Sequence, residues 1–318
     1  MKKQTILFFG TSKFATAALS EIIKRKMNLI GVVTTPDKPA GRGLKIKESD
    51  VKILAKSNNL KIYQPESLND LDFINTINFI NPDLIIVIAF KKLPKSIWEI
   101  PKYGTFNLHA SILPKYRGAA PINWAIINGE EETGLTTFFI NENIDQGDIL
   151  FQDKILIDKN DNFKTLHDKL MEISKKITLK TIESIFKKNI KIIKQNKLKE
   201  FKKAPKIFKK DTFINWRLDI IKIYNFIRGM SPYPGARGKL KINNNIFDLI
   251  LTDVGNYNNL NKSNETKIKF KLIEKNLYLI NTDGCFKINK LKIAGKKEMS
   301  GLEFNNGFLK NIKDYQLI

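Results

Sequence analysis

Asn107 and His109 stand two residues apart in the run Thr105-Phe106-Asn107-Leu108-His109, and the acidic loop Asp145-Gln146-Gly147-Asp148 follows further along the chain. On a strand, residues two apart point to the same face, so a carboxamide and an imidazole would project together. Those groups suit transfer of an acyl or formyl group to an amine. The carbonyl oxygen gathers negative charge during attack and needs a donor fixed in advance, which the Asn107 amide can be. The amine must lose a proton and the leaving nitrogen must gain one, and an imidazole can serve both steps. Asp145 is the candidate to orient that imidazole, with Gly147 permitting a tight turn behind it. No nucleophilic Ser or Cys is required, because the amine itself attacks. The same residue types also build ordinary polar strand ends and turns. The other histidine, His167, lies among charged residues in a helical pattern and reads as a surface or packing residue.

The elements that must hold these groups alternate between strand and helix. Strands are expected at Ile6–Phe9, Leu29–Thr34, Lys61–Tyr63, Leu84–Ala89, Gly104–His109, Gly134–Ile140 and Ile149–Ile157. Helices are expected at Phe14–Arg25, Asp50–Ser57, Leu71–Ile80, Ile122–Ile127 and Phe163–Phe186. Leu84–Ala89 is a continuous apolar run, as in a strand covered on both faces. Such alternation argues for an α/β fold with a parallel, doubly wound sheet, whose site lies past the carboxyl ends of its strands. His109 stands at such an end.

A chain of 318 residues suggests two domains. The pattern places the sheet domain in 1–190, a basic linker in 191–210 and a second domain in 211–318. There a helical connector, Ile220–Gly229, precedes strand candidates at Ala236–Ile242, Ile246–Thr252, Lys267–Ile273, Leu277–Ile280 and Cys285–Ile293. Short strands separated by turn residues suggest a small barrel, a common nucleic-acid platform.

Charge supports that reading. The net formal charge is +4 over residues 1–150 but +19 over 151–318, so the second half is suited to a polyanion. A chain rich in Lys, Ile and Asn also carries the mark of AT-rich coding, which inflates Lys by itself. Cys285 is the only cysteine, which excludes an internal disulfide and a Cys-based metal site and suits a reducing cytosol. No apolar run reaches the roughly 18 residues that span a bilayer. The basic opening Met1-Lys2-Lys3 leads into an apolar run that ends at Gly10, too short for a signal peptide.

Asn107 through Pro114, followed by Tyr116-Arg117-Gly118-Ala119-Ala120-Pro121-Ile122, closely resembles the signature of the folate-dependent formyltransferases. The loop Asp37-Lys38-Pro39-Ala40-Gly41-Arg42-Gly43, the pair Asn215-Trp216 and the segment Ala294-Gly295-Lys296-Lys297-Glu298-Met299-Ser300 narrow the resemblance to the methionyl-tRNA formyltransferase family. The likeness runs from about residue 4 to about residue 310. It implies a Rossmann-like, mostly parallel N-terminal sheet domain followed by an OB-like C-terminal β-barrel that binds tRNA. It also implies that the formyl group of 10-formyltetrahydrofolate goes to the α-amine of methionine on initiator tRNA, for translation initiation. By the same resemblance, Asn107, His109 and Asp145 match the catalytic trio and Ser111-Ile112-Leu113-Pro114 the folate-contacting segment. Arg42 matches a residue that reaches the tRNA acceptor end, and Phe14 one that lines the aminoacyl pocket. A cytoplasmic monomer is expected, with no membrane partner and no metal.

The Arg42 loop has its own physical logic. Two glycines flank Arg42, and Lys38, Arg42, Lys45 and Lys47 present four cations, as in a loop that orders against phosphates. A solvated basic loop is the alternative. Two departures from the family pattern stand out. Lys91-Lys92 replace the usual Gly-Gln after the aromatic Phe90, where the family's backbone helps to hold the pterin. Ile112 stands where Leu is commoner. Within the same chemistry, a sugar-nucleotide or purine-precursor amine, or water in a formyltetrahydrofolate hydrolase, would be the alternative acceptor. A non-catalytic RNA-binding protein on a decayed enzyme is the alternative from another class.

Overall fold

In the computed structural model, the residues described are 4–40, 45–195, 202–259, 267–312 and 314–318. Two compact units divide the chain. One comprises residues 1–118, 134–155 and 168–202, the other 119–133, 156–167 and 203–318.

The first unit is built on a mixed sheet. Its strands are β1 (Ile6–Gly10), β2 (Leu29–Val33), β3 (Ile62–Tyr63), β4 (Leu84–Ile88), β5 (Thr105–His109), β6 (Glu132–Phe139) and β7 (Ile149–Leu156). They are ordered β7-β6-β5-β4-β1-β2-β3. The pairs β1–β2, β1–β4, β2–β3 and β4–β5 are parallel, whereas β6 runs antiparallel to β5. β1 and β4 are buried along their whole length, which explains their unbroken apolar sequence.

The first helices follow from local sequence. α1 (Lys13–Lys24) buries Phe14, Ala15, Ala17, Ala18, Leu19 and Ile22 on one face. In α2 (Asp50–Ser57) the Ser49 hydroxyl accepts the Lys52 N–H as an N-cap. α3 (Leu71–Ile80) starts on Asp70, whose carboxylate accepts the Asp72 N–H, and stops at the left-handed Asn81 ahead of Pro82. The expected helix over 163–186 is α5 (Phe163–Phe186), which follows α4 (Pro121–Ile127). In its first turn the His167 ring rests 5.7 Å from the Phe163 ring, a packing role as its sequence context implied. None of the described helices is long and apolar enough to cross a membrane.

The second unit carries α6 (Ile220–Gly229) and an antiparallel sheet. Its strands are β8 (Ala236–Ile242), β9 (Asn245–Asn259), β10 (Lys269–Ile273), β11 (Asn276–Ile280), β12 (Gly284–Ile293), β13 (Met299–Ser300) and β14 (Tyr315–Leu317). The order is β10-β11-β12-β9-β8-β14, with β13 beside β12. Side chains draw the two edge strands together. The Tyr315 hydroxyl accepts the Phe270 N–H at 2.7 Å and donates to the Phe270 carbonyl at 3.0 Å. The two rings stack at 6.1 Å. Inside lie Tyr224, Phe270, Phe286 and Phe304 with aliphatic residues of β8, β9, β11 and β12.

The expected mostly parallel sheet followed by a second, antiparallel unit is what the chain forms. The differences have local causes. β9 continues to Asn259, beyond the expected Thr252, because irregularities between Leu251 and Asn258 break the alternation that marks a strand in sequence. Lys38–Ala40 and Lys45–Lys47 pair as two short antiparallel strands, where the sequence suggests a loop. β13 and β14 are too short to show a period.

Replacing Tyr315 by Phe should remove both cross-edge hydrogen bonds and cost about 1–3 kcal/mol of stability. Urea unfolding monitored by circular dichroism checks this. An unchanged midpoint would mean that the edge strands do not depend on the hydroxyl.

Candidate active site

β5 delivers Asn107 and His109 to the carboxyl end of the sheet, where Asn107 pairs with Val87 and Phe138 and His109 with Thr136. His109 is buried, and its Nε2 lies 2.8 Å from the Tyr116 carbonyl oxygen. A carbonyl only accepts, so Nε2 must carry the hydrogen. In the neutral ring Nδ1 is then the bare nitrogen. The segment after β5 turns back to supply that carbonyl, with Tyr116 in the left-handed region at φ 61°. Backbone therefore holds the Nε2 side of the ring.

Asp145 stands across the other ring nitrogen. Its Oδ2 lies 3.8 Å from His109 Nδ1 and accepts the Gly118 N–H at 2.9 Å. The gap to Nδ1 exceeds a hydrogen bond and leaves two acceptors facing each other. Asp145 adopts φ 53°, at the tip of a loop that folds back onto β6, where the Phe139 N–H donates to the Asp148 carbonyl. Gly147 makes this return feasible through close approach. A Cβ there would lie 1.6 Å from the Phe139 carbonyl oxygen. Lys92 Nζ donates to the Glu142 carbonyl and Lys95 pairs with the Glu142 carboxylate, so the unexpected cation at 92 grips the loop that carries Asp145. Arg117 lies near Asp145. Burial pulls its guanidinium below the ordinary value, and the negative charge of Asp145 pushes it back up.

Ser111-Ile112-Leu113-Pro114 is held from behind. Thr136 Oγ1 donates to the Ser111 carbonyl and accepts the Leu113 N–H, while Gln152 Nε2 donates to the Leu113 carbonyl. Ser111 and Leu113 are buried, and Ile112 and Pro114 keep partial exposure. The Leu113–Pro114 peptide is cis. The neighbouring Phe90 packs edge-on against Phe9 at 5.5 Å. The left-handed residue of this segment is Ala89, at φ 49°, ahead of the Lys91 that stands in place of glycine.

The structure thus brings His109 and Asp145 together and leaves Asn107 half-buried on the same strand. Phe14 lies buried in the first turn of α1, which follows the carboxyl end of β1. Arg42 falls outside the described residues. Ahead of the strand Lys38–Ala40, Lys52 Nζ and Gln64 Nε2 both donate to the Asp37 carboxylate. Those bonds, Lys52 first, hold the Asp37 carboxyl below its usual range. Sequence reasoning did not find the Tyr116 carbonyl or the Gly118 N–H, which are backbone groups, nor the partners of Arg117. The only hint was that Tyr116-Arg117-Gly118 belonged to the motif.

With this geometry described, likeness to known proteins becomes informative. Residues 2–182 match the family model "Formyl transferase", and residues 206–309 match "Formyl transferase, C-terminal domain". The chain belongs to the formyl transferase family, whose members are transferases. It is 40% identical over 315 residues to the methionyl-tRNA formyltransferase of Bacteroides thetaiotaomicron, covering 97% of each chain. Among solved structures, HypX from Aquifex aeolicus aligns with TM-score 0.66 at 17% identity over 98% of this chain. The present chain spans 50% of the length of HypX. WlaRD, a sugar 3N-formyl transferase, aligns with TM-score 0.61 at 24% identity over 93% of this chain and 100% of its own. Both of these structures share the fold.

Gly147→Ala tests the loop geometry. The added methyl forces the loop off Phe139, so formyl-transfer turnover should fall about 10–100-fold, the scale expected for an ångström-sized displacement. Steady-state kinetics checks this. Wild-type turnover in the variant would show that the close approach does not set the position of Asp145.

Proposed function

We propose that this chain transfers the formyl group of 10-formyltetrahydrofolate to the α-amino group of methionyl initiator tRNA, for translation initiation. The chemistry rests on one observation, His109 Nδ1 facing Asp145 Oδ2 at 3.8 Å at the carboxyl end of β5. The choice of acceptor rests on near-full-length similarity to a protein named methionyl-tRNA formyltransferase, and the net charge of +19 over residues 151–318 suits a polyanionic acceptor.

The bound folate supplies the activated carbonyl. Its fit is supported by a firmly backed segment, Ser111–Pro114, whose Ile112 and Pro114 retain apolar surface for a flat ring while Ser111 and Leu113 are buried. The Asn107 amide donates to the carbonyl oxygen as negative charge develops there. His109 Nδ1 takes the proton that the attacking amine loses. The imidazolium so formed faces a carboxylate at one nitrogen and the Tyr116 carbonyl at the other, both acceptors. As the new N–C bond forms and the folate C–N bond breaks, the imidazolium returns its proton to the leaving nitrogen, which balances the transfer.

The resemblance assigns contacts at the acceptor end to Arg42 and the aminoacyl pocket to Phe14. We place the catalytic domain in 1–190, the linker in 191–210 and a tRNA-binding barrel in 211–318, in a monomer acting in the cytoplasm.

His109→Ala and Asp145→Ala should each lower labelled formyl transfer to charged initiator tRNA by about 100-fold or more, with tRNA affinity within about twofold of wild type. Sugar-nucleotide amines and elongator methionyl-tRNA serve as control acceptors. A wild-type protein that prefers a sugar amine, or a His109→Ala variant with intact turnover, overturns the reading.

A further inference from the structure

Gln195 lies between the two family-matched segments and makes contacts that none of the preceding chemistry uses. Its carboxamide is fully engaged. Nε2 donates to the Asp145 carbonyl at 3.0 Å and to the Gly147 carbonyl at 2.8 Å. Oε1 accepts from Arg117 Nε at 3.2 Å and from Arg117 Nη2. The amide orientation is forced, because a guanidinium only donates and a carbonyl only accepts. One side chain therefore joins the loop that carries Asp145 to the loop that supplies the Tyr116 carbonyl and the Gly118 N–H. The chain entering Gln195 is itself anchored, since Ile193 and Ile149 exchange backbone hydrogen bonds at 2.8 and 2.9 Å.

We propose that Gln195 is a positioning residue that, together with Arg117, fixes the Asp145 carboxylate opposite His109 by stapling the two loops around them. This inference rests on the reading of His109 and Asp145 as the proton-handling pair. Gln195 touches neither the reacting atoms nor the imidazole. It acts through the backbone of Asp145, whose left-handed conformation at φ 53° needs support from outside the loop. Glutamate is the informative replacement. It keeps the shape and can pair with Arg117, but it turns an acceptor toward the two carbonyls. Alanine removes every contact.

The test is formyl-transfer kinetics on the full-length protein with charged initiator tRNA and 10-formyltetrahydrofolate. Gln195→Glu and Gln195→Ala should lower kcat about 10–100-fold, with KM for both substrates within about twofold of wild type. The decisive arm is a double-mutant cycle with Asp145→Asn, followed in single turnover. If Gln195 works through Asp145, adding Gln195→Glu to Asp145→Asn lowers the rate little further. If the two losses multiply, or if Gln195→Glu keeps wild-type kcat, the inference fails. A loss of kcat in Gln195→Ala alone, tracking a fall in thermal midpoint, would assign Gln195 to structure and also overturns it. Absence of formyl transfer by the wild-type protein, measured first, would instead overturn the functional reading.

Discussion

A buried imidazole beside a largely covered carboxylate is costly unless the surrounding chain compensates both, and this requirement shapes the site. The compensation here is mostly backbone. The Tyr116 carbonyl takes one ring nitrogen and the Gly118 N–H takes the carboxylate, two residues apart on one segment. That segment can reach both groups because Tyr116 is left-handed and Gly118 has φ 128°. Tyr116-Arg117-Gly118, which follow the Asn107–Pro114 signature, thus act through main-chain atoms as well as through the Arg117 side chain.

The sheet provides the fixed reference for this arrangement. His109 inherits its place from the registers of β5 against β4 and β6, and those strands are buried and unable to slip without exposing apolar residues. Asp145 has no such support, because it sits in a loop. Contacts that restrain that loop include the close approach at Gly147, the return bond from Phe139 to Asp148, the grip of Lys92 and Lys95 on Glu142, and the Gln195 carboxamide. The pair thus joins an imidazole on a rigid strand to a carboxylate on a tied loop.

The fold was legible where periodicity was strong. The apolar runs at Ile6–Phe9 and Leu84–Ala89 marked β1 and β4, and the spacing of Phe14, Ala17, Ala18 and Ile22 marked α1. Asn107 and His109 were legible for the same reason, as two polar residues on one face of an apolar strand. Asp145 could be named as a candidate from its acidic turn, but nothing in such a turn shows which imidazole it will face. The contacts of Gln195 were hidden, because its bonds to Asp145, Gly147 and Arg117 span 50, 48 and 78 residues and obey no local pattern. Strand β9 was half legible, its second part masked by bulges.

The central claim is that backbone fixes the His109 tautomer so that Nδ1 faces Asp145. With His167 replaced by Gln, the remaining histidine can be followed alone by nitrogen-15 NMR of the imidazole in ring-labelled protein. The neutral ring should carry its hydrogen on Nε2 as a single tautomer, bonded to the Tyr116 carbonyl. A hydrogen on Nδ1, or rapid exchange between the two tautomers, would contradict the account.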